Sequence, residues 1–346
     1  MKAWVLKEPK PVEENPLAFE EVETPKPAEG ELLIKVSACG VCGTDIQTVE
    51  GTLPLPTLPI IPGHQVVGKV AELGGGLDEG ASGFKVGDLV GVSWLYWACG
   101  KCRYCTNGME NVCENQKLSG YHVNGGYAEY MTVPADFAFS IPQGFDAVHA
   151  APLLCGGIIG LRALRQCGIK KGGRLGLFNF GLHAHIVIQI AIHEGVEVYV
   201  FTQKEMHKKH ALDLGAKWAG AMNENDENGE NDERPPELLD AGITFTSAGA
   251  VLPAALERMD KGATLVALGV TVEKIPALIH EKHLANEKKL CTVTNLTRKD
   301  AKELFELAAR IPLRTDVETY SLDEAPEVLK RLKAGKVKGS AVLKLD

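Results

Sequence analysis

Long apolar runs are missing from this sequence of 346 residues. No stretch of about 18 uninterrupted apolar residues occurs, so no membrane-spanning helix is predicted. Positive charge is also in short supply: 37 Lys and Arg against 45 Asp and Glu give a formal net charge of −8. This balance argues against a broad nucleic-acid surface. Because residues 1–7 contain neither a sustained apolar core nor a cleavage-type segment, we expect a cytoplasmic protein.

Cysteine, in contrast, is abundant for a cytoplasmic protein. In a reducing compartment, clustered cysteines indicate metal ligands before disulfides. Four of the nine fall within one short segment, which makes that segment the first candidate site. The cysteines occupy positions 39, 42, 99, 102, 105, 113, 155, 167 and 291.

The pattern of the chain changes near Ala150, and the length suggests two domains. Before Ala150, short β-type runs broken by Gly and Pro predict a mostly β domain. After it, apolar strands alternate with helical patterns, which is typical of a parallel α/β sheet. The early runs are Glu31–Val36, Gln65–Val70 and Asp88–Val92. The later predicted strands are Arg174–Phe178, Val196–Thr202, Gly242–Thr246, Ala263–Gly269, Leu290–Asn295 and Ser340–Leu345. The predicted helices are His185–His193, Lys204–Leu214, Leu252–Met259, Lys299–Ala309 and Leu322–Lys333.

The clustered cysteines have the spacing C-x2-C-x2-C-x7-C. Four thiolates can close a tetrahedral shell around Zn²⁺, and a closed shell is structural because it leaves no position for substrate. Iron–sulfur clusters also use runs of this kind, but in the common ferredoxin pattern the fourth cysteine lies closer and is followed by Pro, whereas here it lies seven residues on and Glu114 follows it. The spacing therefore favours a structural zinc at Cys99, Cys102, Cys105 and Cys113.

Three other residues form a second candidate metal set. Cys42, His64 and Cys155 are weak signals singly, because a lone cysteine is usually part of a core. The pair Cys39 and Cys42 could be a redox pair, but the βαβ context of such pairs is absent. Together, two cysteines and one histidine leave a fourth zinc position open, as in alcohol dehydrogenases.

The chemistry of alcohol oxidation explains such a set. An alcohol must lose its proton before it releases hydride, and Zn²⁺ lowers the pKa of the alcohol. Two thiolates offset the charge of the metal in a buried site. The hydroxyl of Thr44, two residues after Cys42, could accept a hydrogen bond from the alcohol and carry the proton outward.

The sequence resembles the zinc-containing medium-chain dehydrogenase/reductase family over nearly its whole length, and most closely its propanol-preferring alcohol dehydrogenases. The resemblance implies a GroES-like catalytic domain at 1–153 and 296–346. It also implies a Rossmann domain with a doubly wound parallel sheet at 154–295, an active site between the two, and a homodimer or homotetramer. The matching motifs are Cys42-Gly-Thr44-Asp45, Pro62-Gly-His64, Gly87-Asp88, the four-cysteine segment, Gly125-Gly-Tyr-Ala-Glu129 and Leu154-Cys155-Gly156.

Three positions depart from the pattern of that family. Gln65 stands where a Glu able to approach the metal is frequent, so a resting state with four protein ligands is not expected. Gln47 replaces a His that ends the proton relay in many members, and a Gln side chain cannot titrate near neutral pH. Ser340 replaces an Arg that contacts the cofactor pyrophosphate.

A degenerate dinucleotide motif lies between a predicted strand and helix. Asn179, Gly181 and Ala184 take the three glycine positions of G-x-G-x-x-G. Asn tolerates a left-handed turn, Gly181 lets the pyrophosphate approach the backbone, and Ala184 is small enough for packing. We expect Asn179, Gly181 and Leu182 to bind the cofactor.

The next strand ends in Thr202, Gln203 and Lys204 without the acid that usually binds both ribose hydroxyls of NAD. These three residues could surround a 2′-phosphate instead. His207 and Lys208, one helical turn on, could add positive potential. The sequence therefore favours NADP over NAD.

Three functions remain open at this point. The first is a zinc-dependent dehydrogenase for small primary alcohols and aldehydes, with Trp94 narrowing the pocket unless it is simply a core or surface residue. The second is a polyol or sugar dehydrogenase, although those relatives more often carry Glu in place of Cys155. The third is a non-catalytic zinc scaffold, which needs only the four-cysteine site; two zinc ions per chain would favour an enzyme.

Overall fold

The computed structural model describes residues 1–78, 83–222, 233–269 and 273–345, except for the side chain of Leu182. The chain divides into one unit of Met1–Ile158 with Asn295–Asp346 and a second unit of Ile159–Thr294. The sequence places the corresponding boundaries after residues 153 and 295.

Short strands joined by turns build the first part of the first unit. The three β-type runs predicted before Ala150 overlap strands β3, β4 and β5, so these predictions are confirmed. The elements are β1 (Lys2–Leu6), β2 (Leu17–Glu21), β3 (Glu31–Val41), α1 (Gly43–Glu50), β4 (Gln65–Leu73), β5 (Leu89–Val92), β6 (Leu95–Trp97), α2 (Arg103–Thr106), β7 (Lys117–Leu118), β8 (Tyr130–Pro134), β9 (Ala138–Ser140) and α3 (Ala147–Ala150).

Strands and helices then alternate, as the sequence predicts for this region. The helix at 156–166, the short strand at 218–220 and the short helix at 280–283 are not among the elements predicted from the sequence. The elements are α4 (Gly156–Gln166), β10 (Arg174–Phe178), α5 (Leu182–His193), β11 (Glu197–Phe201), α6 (Glu205–Asp213), β12 (Trp218–Gly220), β13 (Leu239–Thr244), α7 (Val251–Glu257), β14 (Met259–Leu268), α8 (His280–His283) and β15 (Lys289–Val293).

The second unit contains a fully parallel sheet with the strand order β12-β11-β10-β13-β14-β15. This is the doubly wound order of a Rossmann fold, in which ligands bind beyond the carboxyl ends of the strands. The central strand β10 is almost completely buried, because a parallel sheet is covered on both faces. The predicted fold class is therefore confirmed for this unit.

The last segment returns to the first unit. Its helix α10 begins three residues later than predicted, because Pro326 fits only the first helical turn and Leu322–Glu324 form a separate 3-10 turn. The elements are α9 (Arg298–Ala308), β16 (Val317–Ser321), α10 (Ala325–Lys333) and β17 (Ser340–Lys344).

The main sheet of the first unit has the order β16-β17-β3-β4-β5-β9, and β8 also pairs with β3. All of these pairs are antiparallel except β16 with β17. The carboxyl end of β3 and the amino end of β4 meet at one edge, since Gly40 pairs with Gln65. Cys42 lies two residues after Gly40 and His64 directly precedes Gln65, so the antiparallel register brings Cys42 and His64 together.

Within the described part of the chain, no single helix is long and apolar enough to cross a membrane. Only Ala147–Leu154 and Gly156–Gln166 taken together, across a 40° bend, reach the required length and composition.

Candidate metal centres and cofactor site

The turn from β3 into α1 positions the first candidate ligand. Cys42 is the residue before the first turn of α1, and its backbone N–H donates to Asp45 Oδ2 at 2.9 Å. This is the geometry of a capping box, in which a side chain in the first turn satisfies the backbone at the helix start. The Cys42 sulfur is thereby held at the end of β3.

Cys42, His64 and Cys155 come together although they are far apart in sequence. Their donor atoms all lie within 4.8 Å of one another, and the three residues are buried. The distance from Cys42 Sγ to His64 Nε2 is 3.3 Å. Zinc bonds of about 2.3 Å to sulfur and 2.0–2.1 Å to nitrogen at tetrahedral angles require about 3.5 Å between such atoms. The donor set therefore fits a zinc ion that keeps one position open.

Asp45 holds the histidine of this set, a role that the sequence did not reveal. Its Oδ1 lies 2.9 Å from His64 Nδ1, and both side chains are buried. A carboxylate on the second ring nitrogen fixes the tautomer that leaves Nε2 for a metal. Asp three residues after Cys42 is the only local signal, and on sequence alone it indicates a helix cap.

The three candidate ligands shift one another's pKa values. The hydrogen bond with Cys155 lowers the pKa of the Cys42 thiol well below its ordinary value, against the effect of burial. The same bond, together with burial, raises the pKa of Cys155. Burial lowers the pKa of His64, but Cys42 and Asp45 outweigh this and raise it. Because zinc takes thiolates and a neutral imidazole, metal binding here must release protons.

Three residues that the sequence analysis discussed, Thr44, Gln47 and Trp94, lie near these candidate ligands. Thr44 is half-buried in the first turn of α1, and its backbone N–H donates a hydrogen bond to the Cys42 sulfur. Gln47 lies three residues later, so it shares a face of the helix with Thr44. The Trp94 ring is buried with its centroid 6.0 Å from that of His64. Trp94 is therefore a neighbour of the candidate ligands and not a surface residue.

Gln65 is buried directly beside His64, and its Nε2 has no hydrogen-bond partner among the described atoms. Its side chain lies over Gly40, where an added Cβ would come within 2.5 Å of Oε1. The missing side chain at Gly40 therefore makes room for Gln65.

The four clustered cysteines form a second compact set. Sulfur–sulfur distances are 3.9 Å (99–105), 3.6 Å (102–105), 3.9 Å (102–113) and 3.5 Å (99–113). A tetrahedral zinc–thiolate shell with bonds of about 2.3 Å requires about 3.8 Å along each edge. Backbone N–H groups of Cys99, Cys102 and Asn115 donate to these sulfurs at 3.4 Å each. The set fits a closed shell.

An ion pair anchors this cysteine segment within its own unit. Both carboxylate oxygens of Glu110, which lies between Cys105 and Cys113, accept hydrogen bonds from the Arg298 guanidinium at 2.8–3.2 Å. Glu110 also accepts the backbone N–H of Arg298, and the guanidinium stacks over Phe137 at 4.5 Å. No local sequence pattern indicates this pair, because its members are 188 positions apart.

The predicted dinucleotide turn has the expected backbone. Asn179 is left-handed with φ of 70°, and Gly181 is the residue before α5. A Cβ built at Gly181 meets no atom within 4 Å, so the space before the helix start is open to a ligand. Unpaired N–H groups at the start of such a helix bind anions. Ala184 is fully buried, and Leu182 begins the helix, with its side chain outside the described atoms.

The end of β11 carries the residues predicted to select the cofactor. Thr202 is buried, and its Oγ1 accepts the Lys204 N–H at 3.4 Å and lies 3.5 Å from His207 Nδ1. Gln203 donates from Nε2 to the Met222 carbonyl. Lys204 is exposed.

Lys208, which we expected to add positive potential near the cofactor, is engaged in ion pairs. Its ammonium lies 2.9 Å from Glu205 and 3.1 Å from Glu233, so two carboxylates offset its charge.

Ser340, at the start of β17, is buried, and its hydroxyl has no hydrogen-bond partner among the described atoms.

Two family profiles match this chain. Residues 28–143 match the alcohol dehydrogenase GroES-like domain, and residues 184–310 match the zinc-binding dehydrogenase domain. Together they cover more than half of the sequence, and each falls largely on one of the two units.

Whole-length relatives agree with these profiles. The "Probable alcohol dehydrogenase AdhA" of Mycobacterium tuberculosis is 42% identical over 99% of this chain and 97% of its own length. An alcohol dehydrogenase of Geobacillus stearothermophilus is 38% identical, with 100% and 99% covered. The solved structure of acetophenone reductase from Geotrichum candidum in complex with NAD has a TM-score of 0.85 at 25% identity, covering 99% and 97%.

Proposed function

This chain belongs to the zinc-containing medium-chain dehydrogenase family of alcohol dehydrogenases, and from that premise we propose that it interconverts small primary alcohols and their aldehydes. The observation that carries the proposal is the buried cluster of Cys42, His64 and Cys155. A zinc ion held there supplies a Lewis acid that lowers the pKa of the alcohol hydroxyl. The nicotinamide cofactor of such dehydrogenases accepts the hydride.

The proton leaves through residues of α1. The Thr44 hydroxyl accepts a hydrogen bond from the alcohol and passes the proton toward solvent. Gln47, on the same face of the helix, does not titrate, so it orients the path but never holds the proton. This assignment predicts a relay whose pH dependence contains no contribution from a side chain at position 47.

Substrate size is set partly by Trp94. Its buried ring beside His64 removes volume close to the candidate ligands. A narrow apolar pocket favours short unbranched alcohols, as in the propanol-preferring members. One methylene group that such a pocket cannot accommodate changes the binding free energy by about 1–3 kcal/mol. Polyols would leave their additional hydroxyl groups unpaired in such a pocket.

The cofactor is held by the turn before α5. Asn179 provides the left-handed backbone, and Gly181 and Leu182 present N–H groups of the helix start to the pyrophosphate. We assign NADP as the preferred cofactor because Thr202 stands where NAD-binding folds usually carry a carboxylate. Gln203 and Lys204 follow on the exposed side.

We assign a second, structural zinc to Cys99, Cys102, Cys105 and Cys113. The four sulfur–sulfur distances support it, and a full shell leaves no position for substrate. The chain therefore carries two zinc ions. All nine cysteines are free of disulfides, which supports a reducing, cytoplasmic environment.

We also propose a homodimer or homotetramer. Strand β15 is an edge strand of the parallel sheet, and among the described strands only β14 pairs with it. Such an edge carries unpaired N–H and C=O groups that another copy can pair with. Light scattering of the purified protein distinguishes a dimer, a tetramer and a monomer.

One panel tests the function directly. Zinc content is measured first, then initial rates with short primary alcohols, polyols and the matching aldehydes, each with NADP and NAD. Highest kcat/KM on short primary alcohols with two zinc ions per chain supports the proposal. Preference for polyols would support the sugar dehydrogenase, and one zinc without turnover would support the scaffold.

A further inference from the structure

A histidine that no cofactor motif includes lies against the residue expected to select the cofactor. His207, in the first turn of α6, places Nδ1 3.5 Å from Thr202 Oγ1. Its ring is half-buried, with an edge contact to Phe180 of the dinucleotide turn at 6.2 Å between centroids. The imidazole is thus fixed between the turn that holds the pyrophosphate and the end of β11.

We propose that His207, in its protonated form, binds the 2′-phosphate of NADP, so that the affinity of the protein for NADP rises as the pH falls. The proposal rests on the proposed NADP preference and adds a residue and a pH dependence to it. An imidazole has two ring nitrogens. Because Nδ1 faces Thr202, Nε2 is the atom that we assign to the phosphate.

The titratable groups around His207 lie at the start of α6, on α6 and on α5. Lys204 precedes α6, whereas Lys208 and His210 lie on it, and Lys208 is already paired with Glu205 and Glu233. On α5, His185 stacks on His210 at 6.3 Å. The turn before α5 contributes only the uncharged Phe180 ring, and β11 leads into the uncharged Thr202. The positive charge of Lys204 repels a proton on His207.

Burial, Lys204 and His210, in that order, lower the pKa of His207 below its ordinary value. His207 is therefore mostly neutral at neutral pH before the cofactor binds. A phosphate carrying about two negative charges at neutral pH stabilises the imidazolium and raises that pKa again. Binding of NADP then takes up a proton, whereas NAD, which lacks the 2′-phosphate, does not engage this residue.

Thr202 makes this arrangement possible. A carboxylate in its place would hold His207 as an ion pair and repel a phosphate. A hydroxyl instead accepts or donates one hydrogen bond and carries no charge, so the ring remains available to an anion. The pairing of Thr202 with His207 therefore distinguishes this site from one built for two ribose hydroxyls.

Isothermal titration calorimetry tests the proposal without relying on turnover. NADP and NAD are titrated into the zinc-loaded protein between about pH 6.5 and pH 8, a range in which histidine titrates. Two buffers of different ionisation enthalpy report the protons taken up. The variants are His207→Gln, which cannot be charged, and His207→Lys, which keeps the charge at every pH. His193→Gln, at the far end of α5 and exposed, is the matched control.

For the wild type we expect net proton uptake with NADP near neutral pH, and an NADP affinity about three- to tenfold higher at the acidic end, since one unit of pKa shift corresponds to tenfold in binding. His207→Gln should lose the uptake and keep the weaker affinity throughout. His207→Lys should bind tightly with a flat profile, and His193→Gln should match the wild type.

Two outcomes separate this proposal from the one it rests on. If the wild type binds NAD more tightly than NADP, the cofactor preference is wrong. If NADP is preferred but His207→Gln retains the same proton uptake and pH profile, the preference stands and the assignment to His207 is overturned.

Discussion

Asp45 Oδ1 and His64 Nδ1 are 2.9 Å apart in the interior of the first unit, where neither side chain exposes more than 3% of its surface. The other carboxylate oxygen accepts the backbone N–H of Cys42. Asp45 therefore orients the His64 ring and also stabilises the helix start that carries Cys42. Its position makes it a positioning residue for the metal set.

Replacing Asp45 with Asn tests that relationship. Asp45→Asn keeps the shape but removes the charge that orients the imidazole, and loss of such a partner typically weakens zinc binding about 10–100-fold. Competition with a chromophoric chelator should show one weakened site and one unchanged site. Equal retention of both metals in wild type and variant would falsify the role of Asp45.

The four-cysteine segment should act on stability. Cys102→Ser removes one thiolate of the shell, and metal-binding free energy in such a segment is also folding free energy. We expect one zinc to be lost per chain, with a clearly lower melting temperature and a loss of activity that follows the loss of fold. An unchanged melting curve with one zinc missing would contradict the structural role.

The anchor of that segment gives a separate prediction. Glu110 is only 12% exposed and binds Arg298 through both oxygens, so Glu110→Gln should cost about 1.5–3 kcal/mol, the range for hydrogen bonds to charged groups. The matched control is Glu8→Gln, which breaks a well-exposed pair with Lys10 that solvent screens, so it should change stability little. Differential scanning calorimetry should show a lower melting temperature for Glu110→Gln alone. Equal melting of the two variants would show that the pair is not an anchor.

Cofactor choice should respond to Thr202. A carboxylate at this position repels the 2′-phosphate of NADP and binds the ribose hydroxyls of NAD, so Thr202→Asp should shift the ratio of kcat/KM toward NAD by at least about tenfold, or 1.4 kcal/mol. Thr202→Ser, which keeps the hydroxyl, is the control and should retain the wild-type ratio. A wild type that already prefers NAD tenfold would refute our interpretation of residues 202–204.

Local patterns in the sequence were sufficient for much of the fold. The apolar run 174–178 is a buried strand with the predicted bounds, and Asn179 adopts the left-handed turn that its side chain tolerates. Both depend on neighbours in the sequence. The error at 322–333 is also local, because Pro326 and the capping box at Ser321 and Glu324 were available signals for a later helix start.

What the sequence could not supply are contacts between distant positions. Asp45 was visible in its motif, but its bond to His64 depends on the register of β3 against β4. The Glu110–Arg298 pair needs the chain to return to the first unit after the Rossmann domain. Of the two partners of Lys208, Glu205 is three residues away and was a local signal, whereas Glu233 is 25 residues away. The contacts between distant positions require tertiary structure.

The most direct test of the catalytic zinc assignment is zinc content measured together with turnover in Cys42→Ala. Cys39→Ala is the matched control, since Cys39 is an equally buried cysteine three residues earlier that belongs to neither donor set. We predict two zinc ions and full turnover for wild type and Cys39→Ala, and one zinc with no measurable turnover for a folded Cys42→Ala. Near-normal turnover of zinc-depleted Cys42→Ala would contradict the account.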